Sequence, residues 1–257
     1  MKKSVLFGLI AGAVLMAVIF SLRKLNDGLE NTAVTEDFEA LKPEMITLPD
    51  IRKDTLPTLR KMLDSLQFIN IHDIDSAILV DLKYATTDNF TGIALYDGLN
   101  AAYLQPDVAL MLAEAHRYLK TLHPDLRLLV YDAVRPLSVQ RTMWERVKDT
   151  KYRRYVAPPD RLSLHNYGAA VDITLADSLG RPLDMGTPFD HFGRAAGISY
   201  EQGLLKQGLL NKKQIQNRQL LRQVMQHVGF SSISGEWWHF NACTLHEAKQ
   251  RYTMVDF

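Results

Sequence analysis

His165 and Asp172 stand seven residues apart, with Asn166-Tyr167-Gly168 between them. Side chains alternate along a strand, so an odd separation would send these two to opposite faces of a sheet. If both serve one site, the chain must turn between them, with His165 before the turn and Asp172 on the strand that follows. Asn and Gly suit such a turn. A second segment, Gly235-Glu236-Trp237-Trp238-His239-Phe240, brings another imidazole. Two imidazoles and one carboxylate leave a fourth position open, which is the arrangement of a catalytic rather than a structural zinc site. The chain has one cysteine, Cys243. That rules out an intramolecular disulfide and a cysteine-rich metal site, so any metal rests on His, Asp and Glu.

Glu236 lies three residues before His239. A carboxylate beside a metal-activated water can take its proton and later pass it to a leaving amine. As a fourth ligand Glu236 would close the open position, so it reads as the base. Taken singly, these features are commonplace. His239 between Trp238 and Phe240 is also what a core histidine looks like, and His72, His116, His123, His191, His227 and His246 are scattered elsewhere. The weight lies in the combination. Two imidazoles, one carboxylate and one zinc ion per chain make the simplest reading, although manganese and iron compete for such donors.

The 257 residues, 47% of them hydrophobic, are enough for one full core. Charged residues make up 23% and the formal net charge is +1, so no charge field argues for nucleic acid or for disorder. At the N-terminus Met1-Lys2-Lys3 precedes an uncharged run from Val5 to Phe20, closed by Arg23-Lys24. Residues 1–24 read as a secretory signal peptide or a membrane anchor through residues 4–22; both export the domain. No cysteine follows the run, which argues against a lipoprotein. Residues 25–55, with Pro43 and Pro49, read as a linker, leaving 56–257 as the folded domain.

Within that domain, 76–82 and 126–134 read as strands, and 86–98 as a turn-rich loop. Pro106 opens a helix to Leu122, and a helical period returns over 137–147. Strands are expected at 169–175 and 236–242, with a helix over 212–228 ended by Gly229. Irregular alternation of helices and strands predicts a single α+β domain with a mostly antiparallel sheet flanked by helices and preceded by an N-terminal apolar helix.

The order of motifs resembles the VanX-type D-alanyl-D-alanine dipeptidases, within the zinc D-Ala-D-Ala metallopeptidases. The resemblance rests on Asp81-Leu82-Lys83-Tyr84-Ala85-Thr86, Asp88-Asn89-Phe90-Thr91-Gly92, Asp132-Ala133-Val134-Arg135-Pro136, Ser163-x-His165 through Asp172-Ile173-Thr174-Leu175, Met185-Gly186-Thr187-Pro188-Phe189-Asp190 and Glu236-Trp237-Trp238-His239-Phe240. It spans residues 70–245. It implies a Hedgehog/DD-peptidase-like fold and zinc held by His165, Asp172 and His239. It implies Glu236 as base and Arg135 as the group that stabilises the oxyanion. By the same resemblance, Ser163 and Asp190 line the substrate pocket and hold the free amino group, with Tyr84 and Asp132 in support. The expected activity is hydrolysis of D-Ala-D-Ala or a related small wall peptide. An export segment is unusual beside cytoplasmic relatives and points to the periplasm or the outer face of the inner membrane, hence to wall-peptide turnover or scavenging. The competing readings are a D,D- or L,D-carboxypeptidase acting on peptidoglycan peptides, and a non-catalytic zinc-stabilised binding module. Nothing in the sequence speaks to the oligomeric state.

Overall fold

Backbone pairing decides where the functional side chains can meet. The computed structural model describes residues 59–96 and 98–256. The expected export segment, its apolar helix and the linker over 25–55 lie outside the described residues. In chain order the elements are α1 (Leu59–Ser65), β1 (Ile69–Asn70), α2 (Ile71–Ile74), β2 (Leu79–Val80), β3 (Tyr103–Leu104), α3 (Pro106–Leu122), β4 (Arg127–Asp132), α4 (Leu137–Val147), β5 (Ala170–Ala176), α5 (Glu201–Lys206), α6 (Lys212–His227), β6 (Ser231–Ser232), β7 (His239–Asn241) and α7 (Leu245–Arg251). Short 3-10 turns occupy Lys83–Ala85, Lys151–Tyr155, Leu164–Tyr167 and Arg194–Ala196.

The fold is α+β. A five-stranded sheet runs β2-β4-β5-β7-β6, and β1 pairs separately with β3. Every pair in the larger sheet is antiparallel except β2 with β4, which are parallel. That exception follows from topology, because the chain returns from β2 to β4 through the long helix α3, a crossover that suits parallel neighbours. β5 is central, and all seven of its residues are buried.

Helix α3 begins at Pro106, whose missing N–H is harmless in the first turn. Its buried stripe of Val108, Leu112, Ala115 and Leu119 falls at helical spacing. Each such Leu or Val contributes on the order of 1.5–3 kcal/mol when fully buried. The stripe packs on β4 and α6. Asn211 and Gln214 form a capping box at the start of α6. Gly229, just past its end, has φ +101°, the left-handed geometry expected there.

Two expected strands are shorter than their composition suggests. The run 76–82 contributes only Leu79–Val80, and the last strand starts at His239 rather than Glu236. Trp237 and Trp238 are bulky and look strand-like, yet they are core aromatics. Their rings meet edge to face at 5.2 Å, just ahead of the strand. Glu236 therefore sits on an irregular segment, free of the strict alternation that a strand would impose.

Candidate metal centre and substrate cavity

Register sets the first three groups. Asp132 of β4 lies opposite Asp172 of β5, and Asp172 lies opposite His239 of β7. Residues directly opposite in an antiparallel ladder project from the same face, so these three form a row across the sheet. His165 comes from the turn ahead of β5. Ser163 caps that turn by accepting from the His165 N–H, and Asn166 completes the capping box. Gly168 ends it in the left-handed region at φ +62°. A Cβ there would stand 2.4 Å from the Phe68 ring, so glycine is required by space as well as by conformation. This turn lets two residues seven apart meet.

His165 Nε2, His239 Nδ1 and Asp172 Oδ1 form a triangle with sides of 3.2, 3.3 and 3.0 Å. Three ligands at about 2.0–2.1 Å in a tetrahedral shell would be separated by roughly 3.3–3.4 Å, close to what is found. The tautomers agree. His165 Nδ1 donates to the Ala133 carbonyl at 2.6 Å, leaving the Nε2 lone pair inward. His239 Nε2 donates to Asn241 Oδ1 at 2.8 Å, leaving the Nδ1 lone pair inward. Two inward lone pairs and a carboxylate oxygen at these distances repel one another unless a cation lies among them. This donor set fits a divalent metal ion. Burial alone would raise the Asp172 carboxyl; positive charge at the two imidazoles, in the place a metal cation would take, holds it well below the usual carboxylate range.

Arg135 follows β4 and is 8% exposed. Its Nε donates to Asp132 Oδ2 at 2.8 Å and its Nη1 to Gln140 Oε1 at 3.1 Å. Nη2 stands 2.6 Å from Asp132 Oδ2 and 3.4 Å from Asp172 Oδ2. These contacts occupy four of the five guanidinium N–H groups and leave one on Nη1. Burial works against the charge, but Asp132 overrules it and holds Arg135 firmly cationic. Asp132 is 0% exposed, accepts from Tyr96 Oη as well, and lies behind Arg135 rather than on the cavity wall.

A cavity of about 380 Å³ opens over this row. His165, Asp172, His239, Glu236, Arg135, Ser163, Asp190 and Tyr84 all line it. The volume lies near the small end of the range of about 300–1,000 Å³ usual for small-molecule sites. Burial pushes the Glu236 carboxyl up to about 7, with His239 opposing. Burial likewise pushes Asp190 up to about 7, opposed by a bond from Tyr84. Tyr84 Oη donates to Asp190 Oδ1 and Oδ2 at 2.9 and 3.1 Å. Asp190 has φ +60°, an uncommon conformation for a residue with a side chain.

A profile of peptidase family M15, described as D-Ala-D-Ala dipeptidase, matches residues 64–256. The D-alanyl-D-alanine dipeptidase of Escherichia coli K12 is 33% identical over 179 residues, covering 70% of this chain and 86% of that protein. Its counterpart in Enterococcus faecalis is 30% identical over 194 residues, covering 67% and 90%. That of Synechocystis is 28% identical over 176 residues, covering 57% and 71%.

The chain belongs to peptidase family M15.

Several residues of this M15 site escaped the sequence reading. Asn241 orients His239, Gln140 and Tyr96 fasten Arg135 and Asp132, and Asn166 Nδ2 donates to the Arg135 carbonyl at 2.9 Å. Gln140 reads as part of a helix stripe and Tyr96 as a loop aromatic, and only their long-range partners reveal them. Asn241 was within reach, because a polar residue two after a metal-binding histidine on a strand projects to the same face.

Proposed function

We propose that this M15 peptidase is a zinc dipeptidase that hydrolyses D-Ala-D-Ala, as its relatives' names suggest. The observation that carries the reading is the triangle of inward lone pairs at 165, 172 and 239 in a small cavity shared with Glu236, Arg135 and Asp190. The two-imidazole, one-carboxylate set suits zinc, which would be held by His165, Asp172 and His239. When bound, zinc supplies Lewis acidity, polarising a carbonyl and acidifying water.

The chain's own residues do the rest. The Glu236 carboxylate, with a pKa raised toward neutrality, takes the proton of the attacking water and delivers it to the departing amine nitrogen. Arg135 directs its free Nη1–H at the oxygen on which negative charge grows. Because Asp132 and Gln140 have already fixed its guanidinium, little reorganisation is needed. Asp190 takes the substrate's ammonium group, with Tyr84 orienting the carboxylate and Ser163 on the adjacent wall. An anion on the wall of a small cavity favours a free amino terminus and disfavours a chain that continues past it. That favours a dipeptidase over a carboxypeptidase acting on wall pentapeptides.

Export by residues 1–24 would place this activity outside the inner membrane, where the substrates are peptides released from the wall. The test is a panel of D-Ala-D-Ala, L-Ala-L-Ala, N-acetyl-D-Ala-D-Ala and a wall pentapeptide, offered to the zinc-loaded chain. Fast cleavage of the first alone is expected. Preference for the pentapeptide would make the chain a carboxypeptidase, and bound zinc without turnover would make it a binding module.

A further inference from the structure

Behind the cavity lies a buried cation to which the chemistry above gives no role. Arg218 of α6 is 0% exposed. Its Nε donates to the Met185 carbonyl at 2.6 Å, and its Nη2 donates to the Ala195 carbonyl at 3.0 Å. These carbonyls bracket the segment that carries Asp190 in its left-handed conformation. One planar guanidinium therefore pins both ends of that loop, which a single-point ammonium cannot do. Glu201 lies 3.8 Å from Nη1 and binds Arg222 through both oxygens at 2.9 and 2.7 Å. Burial lowers the Arg218 pKa to about 10, which still leaves it charged at neutral pH.

The same loop is tied down from a second side. Trp237 Nε1 donates to Thr187 Oγ at 2.8 Å, and the Arg218 guanidinium lies 6.0 Å over the Trp237 ring. The loop packs Phe189 against Tyr84 and Trp238, and inside the cavity it presents Asp190 to the Tyr84 hydroxyl. A left-handed aspartate is strained and persists only where its surroundings hold it. Arg218 supplies that hold from outside the cavity.

We propose that Arg218 is a positioning residue that sets the Asp190 loop and thereby the enzyme's selectivity for a free α-amino group. It touches neither substrate nor metal. The proposal rests on the reading of Asp190 as the ammonium anchor. A residue that only stabilised the fold would change all substrates alike, whereas one that aims Asp190 changes only those with a free amine.

The test compares Arg218→Lys with wild type, both zinc-loaded and full-length, on D-Ala-D-Ala and N-acetyl-D-Ala-D-Ala. Arg218→Lys keeps the charge but not the two-carbonyl span. Bound zinc should be unchanged, and kcat/KM on D-Ala-D-Ala should fall by up to about 10²-fold, mostly through KM. The low rate on the N-acetyl substrate should hardly move, so the preference for a free amine shrinks. An unchanged preference, or a parallel loss on both substrates, overturns the proposal. A wild type with no preference for the free amine overturns the reading of Asp190 itself. Should Arg218→Lys fail to fold, Glu201→Gln loosens the same guanidinium from behind. It is expected to shift the preference in the same direction by less, and no shift in that variant also overturns the proposal.

Discussion

His165, Asp172 and His239 are fixed by backbone pairing, whereas Tyr84 and Asp190 are fixed by side chains from distant parts of the chain. At the metal end, β5 and β7 set two ligands by register, and one left-handed glycine delivers the third. At the amine end, Asp190 stands on a loop between carbonyls held by Arg218 and meets a tyrosine 106 residues away in sequence. The first arrangement is stiff because strand pairing cannot shift by one residue without reversing every side chain. The second is adjustable, since a loop can change its length or sequence without disturbing the sheet. The function proposed above therefore puts chemistry at the rigid end and substrate choice at the tunable end.

That contrast predicts that metal-end variants lose turnover and amine-end variants lose affinity. Glu236→Gln should keep its zinc and lose on the order of 10²–10⁴ in kcat; near wild-type turnover would remove Glu236 as the base. Arg135→Ala should lose about 10²–10³ in kcat, and a tenfold loss or less would take it out of the central role. Asn241→Ala should weaken zinc binding by about 10–100-fold, read by competition with a chelator, because His239 loses the group that fixes its tautomer. Tyr84→Phe should raise KM for D-Ala-D-Ala by about tenfold with kcat nearly kept. If kcat fell instead, the division between the two ends would fail.

The smallest effect concerns pH. Burial places both Glu236 and Asp190 near 7, and each must be a carboxylate to act. Activity should therefore fall as pH drops through an acid limb. A bound dication lowers both groups, so the limb of the zinc enzyme should lie at or below about 7. A profile of kcat/KM that rises on acidification would contradict both assignments.

How legible each end was follows from the same difference. The helices over 106–122 and 137–147 appear with the bounds their periodicity and prolines suggest. The three candidate metal ligands, which the structure brings together, were readable because histidine and aspartate in a turn-and-strand context carry their chemistry openly. Glu236 was assigned to a strand that starts three residues later, since Trp237 and Trp238 mimic β-propensity while serving as core aromatics. Arg218 was invisible. It lies among Lys212, Lys213, Gln214, Gln216, Asn217 and Gln219, a stretch that reads as solvated, and only the carbonyls of a loop more than twenty residues earlier draw it inside. Local patterns carry local geometry; a partner across the molecule leaves no trace in its neighbours.

Asp172 points one oxygen at both imidazoles and the other at Arg135. A single side chain is thereby shared between the place where a metal would sit and the guanidinium that faces growing negative charge. Neither positive centre can wander without dragging the common anion, so the gap separating them behaves like a fixed ruler across the breaking bond. Losing the ion would free one mark of that ruler, while Asp132 and Gln140 would still hold the guanidinium at the other.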